Sequence, residues 1–437
     1  MSCCHYYDLT EGGDAAFSVD GSNITFGRGA VRELGDHARA LSLRRVACFT
    51  DTQVAAHTST EAALASLRAA GCDVVLYSDV QIEPSDQSFL HAARFAAEGR
   101  FDGYVSIGGG SVIDTCKAAA LYATHPAEFL AYVNRPVGEG RAVPGPLPPH
   151  IACPTTCGTG SECTGIAICG LSASHAKVGI AHRLLRPTRA LIDPDFTDTL
   201  PASVVAASGF DVLSHAVESY TAQPHTRRAR PDRPTLRPMS QGSNPWSDVG
   251  SLEALRLCGR YLLRAVRDPS DRHARQQMMF AATLAGIAFG NAGVHVPHAM
   301  AYAVAGQVRN FRMDGYPPAA PLVPHGVSVI VTAPAVFRFT AQAAPERHLD
   351  CAAALGADIR GIDPQPAAAG VLLSNQIIRL MQDTAMPNGL CAVGYGPDDI
   401  GSLTDGSEIQ GRLLDNAPRP VDRTALSALF SASLSCW

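Results

Sequence analysis

Asp211 and His215 stand four residues apart in the run Phe210-Asp211-Val212-Leu213-Ser214-His215-Ala216-Val217-Glu218. The run has helical patterning, and at i and i+4 both side chains leave one face, so a carboxylate oxygen and an imidazole nitrogen can converge on a single cation. A buried Asp–His hydrogen bond has the same spacing, so the pair alone does not decide between a metal and a packed interior. Further histidines change the weighing. His295 and His298 open a helical run through Tyr302 in which positions 295, 298 and 302 share a face. His325 follows in Pro324-His325-Gly326, at a loop-to-helix junction. Asp211, His215, His298 and His325 together offer one oxygen and three nitrogens, a donor set suited to Fe(II) or Zn(II) and poorly suited to Mg(II) or Ca(II). Tyr302 and His295 are the catalytic candidates beside this set, as a proton relay; core packing accounts for them equally well.

A second chemistry sits in two loops of small residues. Gly108, Gly109, Gly110 and Ser111 follow directly on the apolar run Tyr104 to Ile107 and precede a helical run, Val112 to Ala123. Strand, glycine loop and helix in that order let backbone amides and a helix N-terminus meet a pyrophosphate; a plain tight turn is the alternative. Asp51, just past the apolar run Val46 to Thr50, is placed to accept hydrogen bonds from ribose hydroxyls and to repel a 2′-phosphate, which favours NAD over NADP. A helix N-cap aspartate would look the same. The stretch Thr155-Thr156-Cys157-Gly158-Thr159-Gly160-Ser161-Glu162 supplies further hydroxyls, at Thr155, Thr156 and Thr159, and close backbone approach.

The elements that must position these residues fall into two kinds. Before residue 199 the chain alternates: Val46 to Thr50, Val74 to Tyr77, Gly103 to Ile107, Ile151 to Pro154 and Ala190 to Ile192 read as strands, with helices at Ser59 to Ala70, Gln87 to Glu98 and Val112 to Ala123. Beyond Pro201 the patterning is helical, at Ser203 to Thr221, Asp248 to Val266, His273 to Phe289, His298 to Arg309, Val327 to Thr340 and Ala367 to Asp383. The expected fold class is therefore α/β: a doubly wound dinucleotide-binding domain over residues 1–199, then an all-helical metal-binding domain over residues 200–437. A loop rich in Pro and Arg, Pro224 to Pro245, interrupts the helices.

Composition bounds the function. A chain of 437 residues is long enough for two domains, and 46% hydrophobic with 17% charged residues excludes long disorder and a coiled coil. A net charge of -5 provides no basic field for nucleic acid or an anionic membrane. No apolar run reaches the about 18 residues of a membrane-spanning helix. Met1 to Ala16 lacks the basic and apolar regions of a secretory signal, so a cytoplasmic enzyme is expected. The 13 cysteines are odd in number, and Cys153, Cys157, Cys163 and Cys169 do not have the spacing of zinc knuckles; reduced packing residues are expected.

These motifs resemble the iron-containing (group III) alcohol dehydrogenases. The resemblance is carried by GGGSVIDTCK at 108–117, TTCGTGSE at 155–162, LIDP at 191–194, GFDVLSHAVESY at 209–220, HAMAY at 298–302 and PHG at 324–326, and it covers the chain from about residue 20 to its end. Within that family the chain looks most similar to the hydroxyacid-oxoacid transhydrogenases, through GNAGVHVPH at 290–298, LVPHG at 322–326, QGSNP at 241–245 and PERHL at 345–349. The resemblance implies a dehydroquinate synthase-like fold and a metal, Fe(II) or alternatively Zn(II), on Asp211, His215, His298 and His325. It implies NAD contacts at Asp51, Gly108, Gly109, Gly110, Ser111, Asp114, Thr155, Thr156, Thr159 and Lys177. Tyr302 stands where many relatives have a second histidine, and Ala299 where glycine is common. The implied reaction moves hydride from a hydroxy acid, 4-hydroxybutyrate, to an oxo acid, 2-oxoglutarate, through bound nicotinamide, in a homo-oligomer. The alternative is an NAD-dependent alcohol dehydrogenase that releases NADH; a dehydroquinate synthase-like lyase and an inactive binding protein rank below it. Such acids call for a cation at the remote carboxylate, for which the sequence offers Arg237 in the loop and Arg309 beyond the Tyr302 helix.

Overall fold

Between Asn23 and Ile192 the chain builds a six-stranded sheet in which every pairing is parallel. The strands are β1 (Asn23–Phe26), β2 (Arg45–Phe49), β3 (Asp73–Tyr77), β4 (Gly103–Gly108), β5 (His150–Pro154) and, after the hairpin of β6 (Ile166–Gly170) and β7 (Lys177–Ala181), β8 (Arg189–Ile192). The order across the sheet is β1-β8-β5-β4-β2-β3. The structure is a computed structural model that describes residues 5–173, 176–317 and 321–437.

The sequence of β2 shows why helices cover both faces. Val46 and Cys48 enter one apolar cluster with Leu34 of α1 (Leu34–Ala40) and Leu67 of α3 (Thr58–Ala69), which follows the single turn α2 (Thr52–Ala55). Ala47 and Phe49 enter another with Ala92 and Ala96 of α4 (Asp86–Gly99) and Val112 and Cys116 of α5 (Gly110–Thr124). Alternate residues of one strand are thus buried on opposite faces, the signature of a doubly wound sheet. The chain runs outward from β2 to β3, returns to β4 beside β2, and then proceeds to β5 and β8 on the other side. This reversal between β2 and β4 is where open α/β sheets bind ligands, at the carboxyl ends of the strands. Asp51 follows β2, the glycine run ends β4, and Thr155 follows β5.

After the short α6 (Phe129–Tyr132) and the sheet's last strand, the chain is helical: α7 (Ala202–Thr221), α8 (Pro245–Arg267), α9 (Arg272–Ala292), α10 (Val296–Gly306), α11 (His325–Ile330), α12 (Ala333–Thr340), α13 (Pro345–Ala354), α14 (Pro366–Asp383), α15 (Ile400–Glu408), α16 (Gly411–Leu414) and α17 (Arg423–Ala432). The single helix expected over Val327 to Thr340 is two. Pro334, which has no amide to donate, stands in the first turn of α12. Helices α9 and α10 are bent 105° from one another, and Gly293 at the turn has φ +87°, open to glycine without strain. Among the described residues no single helix is long and apolar enough to cross a membrane.

By contacts the chain forms two compact units, Gly21–Leu200 and a second made of Met1–Asp20 with Pro201–Trp437. The start of the chain therefore groups with the helices and not with the sheet. Arg347 of α13, buried, is one reason. Its guanidinium lies 4.3 Å from the Tyr6 ring and 3.7 Å from the Tyr220 ring, and donates to Asp248 Oδ1 at 2.5 Å. The Tyr7 hydroxyl bonds to Ser243 Oγ at 2.9 Å, and the Tyr6 hydroxyl donates to the Ala222 carbonyl at 2.5 Å. Desolvated cation–aromatic contacts of this kind contribute about 2 kcal/mol each.

Close approach fixes one further element. A Cβ at Gly326 would stand 1.9 Å from the Ala207 carbonyl oxygen and 3.1 Å from Asp211 Cβ, so α11 packs on α7 only through a bare backbone. Gly326→Ala is expected to push α11 away, costing about 2–3 kcal/mol of stability and displacing His325; thermal unfolding together with metal content measures both, and an unchanged melting temperature would refute the packing argument.

Candidate functional site

Three helices bring the polar residues together. Asp211 and His215 project from α7, His298 from the first turn of α10, and His325 begins α11. Asp211 Oδ1 lies 3.7 Å from Nε2 of His215, 3.7 Å from Nε2 of His298 and 3.7 Å from Nε2 of His325. One ligand atom from each of the four falls within 4.8 Å of the others. None of the three gaps is a hydrogen bond, since such bonds close to about 3.2 Å. Two donors bound tetrahedrally to one cation at about 2.1 Å lie about 3.4 Å apart, so the spacing suits a shared ion. Asp211 Oδ1 and His298 Nε2 are buried without a hydrogen-bond partner. Leaving such atoms unpaired costs about 1–3 kcal/mol each, more for a charge. A borderline divalent cation fits this donor set.

The surroundings hold the rings. His215 stacks on Phe289 of α9, with centroids 4.0 Å apart and planes at 6°. Glu218, fully buried one turn beyond His215, was not singled out from the sequence, although positions 211, 215 and 218 share a helix face. Its Oε1 lies 2.6 Å from His298 Nδ1, and its Oε2 accepts the His295 amide at 2.7 Å. A carboxylate on Nδ1 fixes the tautomer that leaves Nε2 as the ligand atom. Electrostatics follow the same geometry. Burial disfavours charge on Asp211, but the imidazoles of His215, His325 and His298 outweigh it and hold the carboxyl well below its usual range. Burial pulls His215 down to about 3. At His298 burial again opposes charge, yet Glu218 and Asp211 raise it to about 9.

His295 and Tyr302 differ in what they do. His295 Nδ1 accepts the Val296 amide at 2.8 Å, capping α10, and its Nε2 meets the Thr221 hydroxyl at 3.0 Å. Both ring nitrogens are thus engaged in holding the turn. Tyr302, buried, lies one turn past His298 on the same face. The two arginines expected to receive a carboxylate are turned to the chain's own acids. Arg237 Nε donates to Asp14 Oδ2 at 2.7 Å, and Arg309 pairs with Asp399. This corrects the expectation, because a guanidinium already neutralised by an internal carboxylate is a weak anion receptor.

In the sheet unit, the glycine run and the second loop abut. A Cβ on Gly110 would stand 2.7 Å from the Thr159 side chain, one on Gly109 3.3 Å from Thr156, and one on Gly108 2.4 Å from Val112. The Thr155 amide donates to the Gly108 carbonyl at 3.1 Å. First-turn amides of α5 lack intrahelical acceptors, as at any helix start. Asp51 caps α2 through one carboxylate oxygen, 2.9 Å from the Gln53 and Val54 amides. Ser111 Oγ accepts the Glu83 amide at 3.2 Å, and Lys177 pairs with Glu83. Asp114 works inward: it accepts from Ser161 Oγ and, at 2.9 Å, from the Ile168 amide. Lys117, missed in the sequence, is buried beside it and donates to the carbonyls of Ser161 and Ile166, 2.7 Å each, tying α5 to the second loop. The described cysteines are reduced thiols.

A model of the iron-containing alcohol dehydrogenases matches residues 21–194, and one of the C-terminal part of the Fe-containing alcohol dehydrogenase family matches residues 238–434. The chain belongs to the iron-containing alcohol dehydrogenase family and is an oxidoreductase. Among its relatives is "Hydroxyacid-oxoacid transhydrogenase, mitochondrial" of Xenopus tropicalis, 48% identical over 424 residues, 97% of this chain and 91% of that protein. The protein of the same name in Homo sapiens is 46% identical over 426 residues, with the same shares of 97% and 91%. Among solved structures, 1,3-propanediol oxidoreductase superposes with a TM-score of 0.82 at 27% identity, covering 96% of this chain and 100% of that one. The relatives' names overturn the cytoplasmic expectation. Residue composition alone does not separate one reducing compartment from another.

Two outcomes are expected at the cluster. Glu218→Gln should lower metal affinity about 10- to 100-fold with the fold intact, read by chelator competition and circular dichroism; wild-type affinity would remove Glu218 from the site. Because His298 is raised to about 9, the cation must displace its proton below that pH. Apparent affinity should therefore rise about tenfold per pH unit between about pH 6 and 8, and a flat profile would contradict the assignment.

Proposed function

We propose that the chain transfers hydride from a small hydroxy acid to a 2-oxo acid, with 4-hydroxybutyrate and 2-oxoglutarate as the pair. The observation that carries the reading is the convergent set of Asp211, His215, His298 and His325 in a chain close to half identical, over nearly its whole length, to relatives named hydroxyacid-oxoacid transhydrogenase. When bound, a divalent cation supplies Lewis acidity toward a hydroxyl or carbonyl oxygen, and NAD accepts and returns hydride. Fe(II) is the reading for the cation on these four residues, with Zn(II) second.

The chain's own residues have distinct parts. Asp211 contributes the negative charge that balances the cation, and His215, His298 and His325 contribute neutral nitrogens. Glu218 holds His298 in its ligand tautomer. Gly109, Gly110 and Ser111, at the start of α5, present amides to phosphate oxygens, and Asp51, beyond β2, offers its second carboxylate oxygen to a ribose. Tyr302 handles the proton that leaves one hydroxyl and returns to the other; with both nitrogens of His295 engaged, the relay narrows to Tyr302. The cycle balances: the hydroxy acid loses a hydride and a proton, and the oxo acid gains both.

Incubation with 4-hydroxybutyrate and NAD, with and without 2-oxoglutarate, tests this. Succinic semialdehyde and 2-hydroxyglutarate should form in equal amounts, without net NADH, only when both acids are present. Steady NADH release with no oxo acid would favour an ordinary dehydrogenase. Chelation should abolish turnover, and Fe(II), not Mg(II), should restore it.

A further inference from the structure

Phe289 and His298 stand on either side of one turn, and both pack against the His215 ring. Phe289, in the last turn of α9, lies 4.0 Å from it between centroids, and His298, in the first turn of α10, lies 4.6 Å from it with planes at 23°. The place of the His215 imidazole, and its spacing from His298, therefore depend on the angle at which α10 leaves α9, 105°. A helix ends in carbonyls that have no donor within the helix. At the end of α9 the donors come from two distant segments. The Gln241 amide donates to the Asn291 carbonyl at 2.8 Å, and the Gly242 amide to the Ala292 carbonyl at 2.9 Å. Asn416, just past α16, donates from Nδ2 to the carbonyls of Ala292 and Val294 at 3.2 and 3.1 Å, one on each side of Gly293. A Cβ at Gly293 would stand 2.9 Å from that Nδ2 and 2.9 Å from Ser240 Cβ, so the turn is bare backbone pressed against both segments. One residue after Val294, the His295 amide is taken by Glu218.

The two donor segments are themselves fastened. Gln223 donates from its amide to the Asn416 carbonyl at 3.0 Å and from Nε2 to the Asp415 carbonyl at 2.6 Å. The Gln241 carboxamide accepts the Ser18 amide at 2.8 Å and donates to the Ser18 carbonyl at 2.7 Å. Asn291 treats Asp20 in the same way, at 2.8 and 2.9 Å. The start of the chain, the loop rich in Pro and Arg and the segment after α16 thus meet at residues 291–294, and every contact among them is a hydrogen bond to backbone. The loop serves this turn through the amides of Gln241 and Gly242, which gives it a part that does not call on its arginines.

We propose that Asn416 is a positioning residue of the metal centre: by bridging the Ala292 and Val294 carbonyls it sets the angle between α9 and α10, and with it the approach of His298 to Asp211 and His215. This rests on the four-ligand reading above and deepens it. Asn416 Oδ1 is buried with no hydrogen-bond partner among the described residues, so the side chain acts through Nδ2. An aspartate has the same shape but would turn an oxygen toward two carbonyl oxygens, and the buried carbonyls would lose their donor. Ligand atoms must lie about 2.1 Å from the cation, so a small rotation of α10 is enough to spoil the set while each helix stays folded.

The test uses the full-length protein with Asn416→Asp, Asn416→Ala and Gln241→Glu, and Ser374→Ala as the control. Ser374 Oγ on α14 donates to the Pro334 carbonyl at 2.6 Å, an equally buried bond of side chain to carbonyl in the same unit. Fe(II) and Zn(II) affinities are measured by chelator competition, stability by melting of the metal-free protein, and ligand geometry by the visible bands of the Co(II)-loaded protein. Both Asn416 variants should weaken the two cations about tenfold and alter the Co(II) bands, whereas Ser374→Ala should lower the melting temperature and leave affinity and bands as they are. Gln241→Glu, which sets an oxygen against the Ser18 carbonyl, should give a smaller loss of the same kind. Wild-type affinity and bands in Asn416→Asp would overturn the assignment, as would an equal loss of affinity in Ser374→Ala. If neither Asn416 variant folds, Gln241→Glu decides, and wild-type affinity and bands there count against the assignment. A wild-type protein that takes up neither cation would sink the four-ligand reading and this one together; tight wild-type binding that no variant moves would remove this one alone.

Discussion

Asp211 Oδ1 faces three imidazole nitrogens, each 3.7 Å away, and the helical unit is organised around keeping that oxygen unbonded to any of them. A buried carboxylate with no hydrogen bond at one oxygen is worth several kcal/mol of destabilisation, so the arrangement persists only because packing over-determines it and a cation completes it. Each supporting contact has a visible cause. Gly326 lets α11 touch α7, Phe289 pins the His215 ring, and Glu218 locks His298. The 105° bend at Gly293 turns α10 back so that His298 reaches residues of α7.

What was legible in the sequence was whatever has a short period. The i, i+4 spacing of Asp211 and His215, the helical register of His298 and the strand-glycine-helix order at 104–123 are local, and in the helical unit ligand atoms of Asp211, His215, His298 and His325 lie within 4.8 Å of one another. Strands β2 to β5 and β8 were readable because doubly buried strands are runs of apolar residues. The hairpin of β6 and β7 was not, since Ile166–Gly170 and Lys177–Ala181 are short and carry small residues in place of a clear alternation. The split between α11 and α12 escaped for a related reason: apolar periodicity runs straight through Pro334.

Long-range pairings were invisible. Arg237 reads as a loop cation, but its partner Asp14 lies 223 residues away, and no spacing rule reaches that far. Glu218 was within reach of the face rule, since it shares a helix face with Asp211 and His215, but a glutamate in a helix is ordinarily solvated. Asp114 shows the converse: it sits in a cofactor motif, yet its oxygens bind Ser161 and Ile168 and brace the loop from inside. Motif membership marks importance to a site, and the geometry decides whether a residue touches ligand or holds the residues that do.

The grouping of Met1–Asp20 with Pro201–Trp437 makes the sheet unit an insertion within the helical one. During synthesis Gly21–Leu200 is contiguous and can close its sheet as soon as it leaves the ribosome, whereas Tyr6 and Tyr7 must wait for Arg347 to be made. Domains emerge and fold largely in order of synthesis, so here a segment translated before the sheet finds its place only after the sheet and the helices that follow it have been made. The helical unit, and the ligand cluster within it, is thereby assembled after the sheet.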